Sequence, residues 1–216
     1  MTEVEIAYYF QQRYIIKKGK KYITSNKWPR LSLLYRKGYP NVFQAQSDFD
    51  YLELGVHDRI DLKGLGQSEA KLVAGSFLKK TDLRLIENRF FRTSDRWFFS
   101  NPVTSLQMLD TALNTSNSFL QANFIHHFNG FFLNKIWGIN KLGLEETIGG
   151  GLLMVPESNF NQIEFYVGLE RMFRIRKQLF KVGFYAVASD NNFESAAIRY
   201  KFGINFYDSF RKKWDY

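Results

Sequence analysis

Strict alternation of apolar and polar residues, repeated along most of the chain, constrains this sequence more than any other feature. Val4, Ile6, Tyr8 and Phe10 share one parity against Glu3, Glu5, Ala7, Tyr9 and Gln11. Ile163, Phe165, Val167 and Leu169 do so against Gln162, Glu164, Gly168 and Glu170, and Ile198, Tyr200, Phe202, Ile204 and Phe206 against Arg199, Lys201, Gly203 and Asn205. The same pattern runs through residues 30–36, 51–57, 69–79 and 180–186, and more weakly through 119–128 and 145–154. A period of two places alternate side chains on opposite faces of a strand. The sequence therefore predicts about nine strands, of the length that crosses a bilayer at a tilt. Helical periodicity is confined to Leu106–Leu113 and Asn134–Leu142. Gly55, Gly75, Gly168, Gly183 and Gly203 all fall on the polar parity. Glycine inside a strand marks a bend or a close approach, so the pattern predicts a curved sheet with its polar face inside.

Two architectures share this periodicity. A soluble sandwich or barrel turns the apolar face inward, whereas a transmembrane barrel turns it outward to lipid. Three features favour the second. The apolar faces are uniformly large. The polar faces carry both charge signs. Aromatics crowd the strand ends: Tyr8, Phe10 and Tyr14; Phe128, Phe131, Phe132 and Trp137; Phe206, Tyr207, Phe210, Trp214 and Tyr216. Amphipathic rings concentrate at membrane interfaces. Composition agrees with a β protein, with 22 Phe and 12 Tyr, and the absence of Cys excludes a thiol nucleophile or a Cys-ligated metal. The net charge of +9 invites acidic partners. Its basic residues are spread, however, and the clusters Lys17, Lys18, Lys20, Lys21 and Arg211, Lys212, Lys213 read as solvated loops and a charged tail rather than a nucleic-acid surface. Residues 1–10 have neither the basic nor the apolar region of a signal peptide. The chain is expected to be cytoplasmic or to derive from a longer secreted precursor.

Several blocks carry a resemblance: RYIIKKGKKYITSNKWPRLSLLYRKG, FDYLELGVHD, FLQANFIHHFNGFFLNKI and IEFYVGLERMFRI. They resemble the C-terminal barrel of a Gram-negative outer-membrane family of unknown function, in which the barrel follows a carboxypeptidase-regulatory-like domain. The resemblance implies an all-β fold, an antiparallel transmembrane β-barrel of which residues 1–216 supply the C-terminal part, truncated on the N-terminal side. It also implies residence in the cell outer membrane, with membrane lipid and the missing N-terminal part as partners and no nucleic acid. More distantly, the chain is similar to the surface-antigen and outer-membrane-assembly barrels, whose long inserted loop precedes five final strands. Five strands follow Lys80–Ser118 here, although Asn88-Arg89-Phe90-Phe91 and Asp95-Arg96-Trp97-Phe98 lack the glycine of the motif carried by that loop. Counting back from a periplasmic C-terminal end makes Lys80–Ser118 extracellular and Asn129–Leu144 periplasmic.

No constellation predicts catalysis, a cofactor or a metal. His126 and His127 are adjacent and on a strand would face opposite ways. Gly149-Gly150-Gly151 is not followed by the Lys-Ser/Thr of a phosphate loop. Arg89, Arg92 and Arg96 are the candidate lumen-loop cations, and Glu164, Glu170, Arg199 and Lys201 the candidate lumen wall. The loop is expected to fold back into the lumen, bringing Arg89 or Arg96 to Glu164 or Glu170. The expected function is a non-enzymatic pore or scaffold for transport or envelope biogenesis. The alternatives are an outer-membrane lipid hydrolase or acyltransferase, needing a Ser–His pair facing lipid near the outer rim, where the only candidate, His126, is instead expected toward the periplasm, and a soluble lipid-binding β-barrel.

Overall fold

The computed structural model describes residues 1–26, 28–40, 47–109, 112–176, 178–191, 195–208 and 213–215. The strands are β1 (Thr2–Tyr9), β2 (Gln12–Lys17), β3 (Lys20–Asn26), β4 (Arg30–Lys37), β5 (Asp48–Asp61), β6 (Gln67–Asp82), β7 (Arg89–Phe90), β8 (Asn114–Thr115), β9 (Phe119–His127), β10 (Leu144–Val155), β11 (Phe160–Ile175), β12 (Gln178–Asn191), β13 (Ser195–Asp208) and β14 (Lys213–Asp215). Each alternating stretch of the sequence is one of these strands. Ten of them form one antiparallel sheet in the order β1-β4-β5-β6-β9-β10-β11-β12-β13-β14. The sheet is not closed: among the described residues β1 and β14 are its two edges.

Alternation sorts the side chains as the sequence pattern requires, with the polar parity inside. Phe165, Val167, Phe202 and Ile204 are between 52% and 68% exposed, whereas Glu164, Glu170, Lys181 and Lys201 are 0–2% exposed. The long connection between β6 and β9 is the reason. It lies against the polar-parity face, and its Phe91, Leu106 and Leu109 join Phe49, Tyr51, Phe119 and Leu153 of the sheet in one buried cluster. Phe99, Val103 and Met108 join Ile125, Tyr166, Tyr185 and Val187 in a second.

Three of the strand glycines make room for one aromatic ring. A Cβ at Gly168, Gly183 or Gly203 would lie 2.3, 2.5 or 2.8 Å from Tyr185, which is fully buried. Tyr185 in turn stacks on Phe99 of the long connection, ring centroids 3.7 Å apart. The glycine parity read from the sequence thus records where the sheet admits a side chain and a loop.

Three local expectations change. The lysines at 17, 18, 20 and 21 belong to a β2–β3 hairpin rather than to a loop. Lys18 and Gly19 both have positive φ, 49° and 74°, the conformation of the two-residue turn that matches strand twist. Of the second basic cluster, Arg211 and Lys212 lie outside the described residues, as do Phe210 and Tyr216, while Lys213 opens β14. The described part of Leu106–Leu113 is not helical. Its apolar residues plug into the sheet clusters, and the N–H groups of Gln107 and Met108 go to a wall carboxylate instead of to preceding carbonyls. The segment Asn134–Leu142 is reduced to two short 3-10 turns, Leu133–Lys135 and Ile139–Leu142, broken by Gly138 at φ 90°.

Candidate functional site

The clamp between the long connection and the polar wall concentrates the buried charge of the molecule. Glu164, on β11, receives Gln107 N–H on Oε1 at 2.6 Å and Met108 N–H on Oε2 at 2.9 Å. A buried carboxylate is costly unless its lone pairs are satisfied, and here two backbone donors of the loop satisfy them. Gly151 on the neighbouring strand keeps the approach open, since a Cβ there would lie 2.6 Å from Leu106. Asn123 of β9 holds the next turn by donating to Pro102 O at 2.9 Å.

Lys201, on β13, donates to Ser94 Oγ at 3.0 Å and to Asp95 O at 2.5 Å. Asp95 Oδ1 accepts Trp97 N–H at 2.7 Å and Phe98 N–H at 3.0 Å, a local turn that aims the following residues at β13. These two backbone hydrogen bonds, more than the nearby Lys201, hold the Asp95 carboxyl below its ordinary value. Phe99 N–H then donates to Phe202 O at 2.7 Å and Phe202 N–H to Trp97 O at 2.8 Å, a parallel bridge along the edge of β13 opposite β12.

Glu170 lies at the centre of a second buried network. Tyr185 Oη donates to its Oε1 at 2.7 Å, and its Oε2 lies 3.2 Å from Lys181 Nζ and 3.1 Å from His127 Nδ1. Lys181 also pairs with Glu145 at 2.6 Å. Phe99, Tyr185 and Glu170 therefore form a continuous path from the loop into the wall's ion network.

The candidate residues separate into two groups. Glu164 and Lys201 both grip the loop, and Glu170 reaches it through Tyr185. Arg199 is half-buried on the same strand as Lys201. Arg89 is also a loop–wall anchor, but its partner is Glu53 of β5, at 2.8 Å, rather than Glu164 or Glu170. Its guanidinium also lies over the rings of Phe91 and Phe119. Arg92 and Arg96 are exposed, and Arg96 lies over Trp97. The expected pairing of Arg96 with Glu164 or Glu170 is not formed: Glu164 takes backbone donors of the loop, and Glu170 takes Tyr185, Lys181 and His127. Sequence reasoning missed Glu53, Lys181 and Tyr185. All three share the inward parity of their strands, which was the signal available.

The adjacent histidines diverge as their strand geometry dictates. His127 joins Glu170 and Thr147, while His126 lies 2.7 Å from Ser68 Oγ through Nδ1 and 3.0 Å from Leu65 O through Nε2. Ser68 and His126 share the outward parity and face each other across β6 and β9.

No curated protein and no solved structure matches this chain. A family model described as "Family of unknown function (DUF5686) C-terminal domain" matches residues 1–169, from β1 through most of β11. That stretch includes the whole connection with its clamp on Glu164, and by this match the chain belongs to the DUF5686 C-terminal domain family.

Proposed function

We propose that the chain forms part of the wall of an outer-membrane β-barrel and has no enzymatic role. It acts as a scaffold or gated pore for transport or envelope biogenesis, with the long connection filling the lumen. One observation carries this reading: the burial is inverted. Glu164, Glu170, Lys181 and Lys201 are inside, while Phe165, Val167, Ile198, Phe202 and Ile204 lie on the outside, each more than half exposed. In water, such a continuous apolar exterior is far larger than the patch a soluble monomer presents; in a bilayer it is the expected lipid-facing band. The antiparallel order sets the β6–β9 loop and the β9–β10 connection, with Trp137 91% exposed, at opposite ends of the sheet; with the C-terminal end of β13 taken as periplasmic, this reading has the loop outside the cell and the β9–β10 connection on the periplasmic side. Among the described residues the edges of β1 and β14 are unpaired, which in this reading calls for strands from elsewhere, because lipid cannot satisfy open backbone groups. Fractionation tests the proposal. The protein should stay with outer membranes through alkaline carbonate and urea extraction and leave only with detergent; release by carbonate would refute it.

A second reading, a lipid hydrolase, has one observation in its favour, the Ser68–His126 contact at 2.7 Å, although His126 is buried and lies at the β9–β10 end of its strand, opposite the outer rim where such an enzyme would act. Covalent labelling of Ser68 by a fluorophosphonate, lost in His126→Ala, would support it.

A further inference from the structure

We infer that the outward face holds a binding groove for an aminophospholipid of the periplasmic leaflet, with an alkyl chain in the groove and its ammonium on Asp58. The inference rests on the membrane reading above. A groove of about 820 Å³ crosses the outward side of β5, β6, β9, β10 and β11. Five neighbouring strands at about 4.8 Å spacing give it a reach of roughly 19 Å. Small residues on the outward parity, Ala70, Ala122 and Gly150, open it, and Leu72, Phe124 and Phe165 wall it. The polar residues along it belong to the other face: Asn123 and Glu164 are turned to the loop, and Lys71 has the parity of buried Val73.

Asp58 is the exception. It has the outward parity of Leu54 and Val56, which are exposed, and it lines the groove beside Ala70, its partner across β5 and β6. Its Oδ1 accepts only the N–H of Arg59, and it takes part in none of the ion pairs among the described residues. The nearby imidazole of His126 is not offered to it, because both ring nitrogens are engaged by Ser68 and Leu65. Arg59 points its guanidinium to Gln67. A carboxylate on a lipid-facing surface needs a cation, and a primary ammonium at the headgroup level supplies both charge and donors. Asp58 lies three residues from the periplasmic end of β5, whereas Val56 and Leu72 lie further towards the membrane interior. That position sets the ammonium at the periplasmic headgroup level, and the groove runs from Asp58 across the strands to Phe165 at the same register, so the alkyl chain lies along the sheet from that end.

The test exchanges the detergent-purified full chain against phosphatidylethanolamine, phosphatidylglycerol and phosphatidylcholine of identical acyl chains and measures retained lipid by native mass spectrometry. Phosphatidylethanolamine should be retained preferentially, and Asp58→Asn should cut its retention about tenfold, the loss of one charge-assisted hydrogen bond. The other two lipids should be unaffected. Ala122→Leu should reduce retention of all three by filling the groove. Equal retention of the three lipids, or an Asp58→Asn protein that keeps the preference, overturns the inference. A chain that behaves as a water-soluble monomer with no bound lipid overturns the membrane reading first, so the two failures are distinguishable.

Discussion

Replacing Glu164 by Gln isolates the grip of the wall on the long connection. The carboxylate is 1% exposed and receives one loop N–H on each oxygen, at 2.6 and 2.9 Å. The amide keeps a single acceptor. Its NH2 group then opposes either Gln107 N–H or Met108 N–H, leaving a buried donor unsatisfied. Hydrogen bonds to a charged group contribute about 1.5–3 kcal/mol and an orphaned buried donor costs about 1–3 kcal/mol, so a loss of about 3 kcal/mol is expected. This penalty falls on local opening of the loop rather than on the sheet, whose strand pairing is untouched. It raises the open population roughly 150-fold. Leu106, Met108 and Leu109 are buried chymotrypsin sites, and cleavage there tracks the open fraction when reclosing is fast. Cleavage in the purified, folded protein should therefore accelerate by about two orders of magnitude in Glu164→Gln. Rates within about threefold of the unsubstituted chain would show that the loop is not held by this carboxylate.

Val167, 59% exposed, should separate the lipid-facing from the water-facing reading: Val167→Arg should cost roughly 2–4 kcal/mol in membrane assembly, read as loss of folded, carbonate-resistant protein, whereas tolerance of the substitution would place this face in water. Gly168→Ala pushes a methyl towards Tyr185 and should lower stability by about 1–3 kcal/mol in denaturant unfolding, with partial recovery in the Gly168→Ala, Tyr185→Leu double variant. Because the folded state depresses the Asp95 carboxyl, its contribution is present above the unfolded value of about 3.9 and is lost as pH falls through the folded value. Protection of the Trp97 and Phe98 amides, taken relative to their intrinsic exchange rates, should accordingly fall on acidification below about pH 4, and in Asp95→Ala it should be low at every pH. Arg89→Ala should free the loop near β7 by removing the loop cation from Glu53, which keeps its Tyr51 hydrogen bond, giving new proteolysis there while cleavage near Leu106 changes little; equal acceleration at both places would mean that the loop opens as one unit.

The alternation at 162–170 and 198–206 was sufficient to define β11 and β13 and the two faces of each, because successive side chains of a strand point to opposite faces. Polar-parity glycines at 168, 183 and 203 likewise declared a close approach before its partner was known. Even the β2–β3 turn was written locally in Lys18-Gly19, where a φ above zero at both positions favours glycine, although its four lysines disguised the strands on either side. The loop contacts were not legible. Whether Arg89 meets Glu53 or Glu164 depends on the stagger of strands far apart in sequence, and a one-residue slip would exchange the faces. Leu106 and Leu109 carry a helix-like spacing, but both pack into one sheet cluster and Met108 into the other, with Glu164 holding the intervening backbone, and only the folded sheet supplies those partners. Periodicity alone has no sign; the polar-parity glycines supplied one, a concave polar face, without saying what covers it. That was decided in three dimensions, by a long connection that packs its Phe, Leu and Met side chains against the polar parity and leaves the apolar parity uncovered.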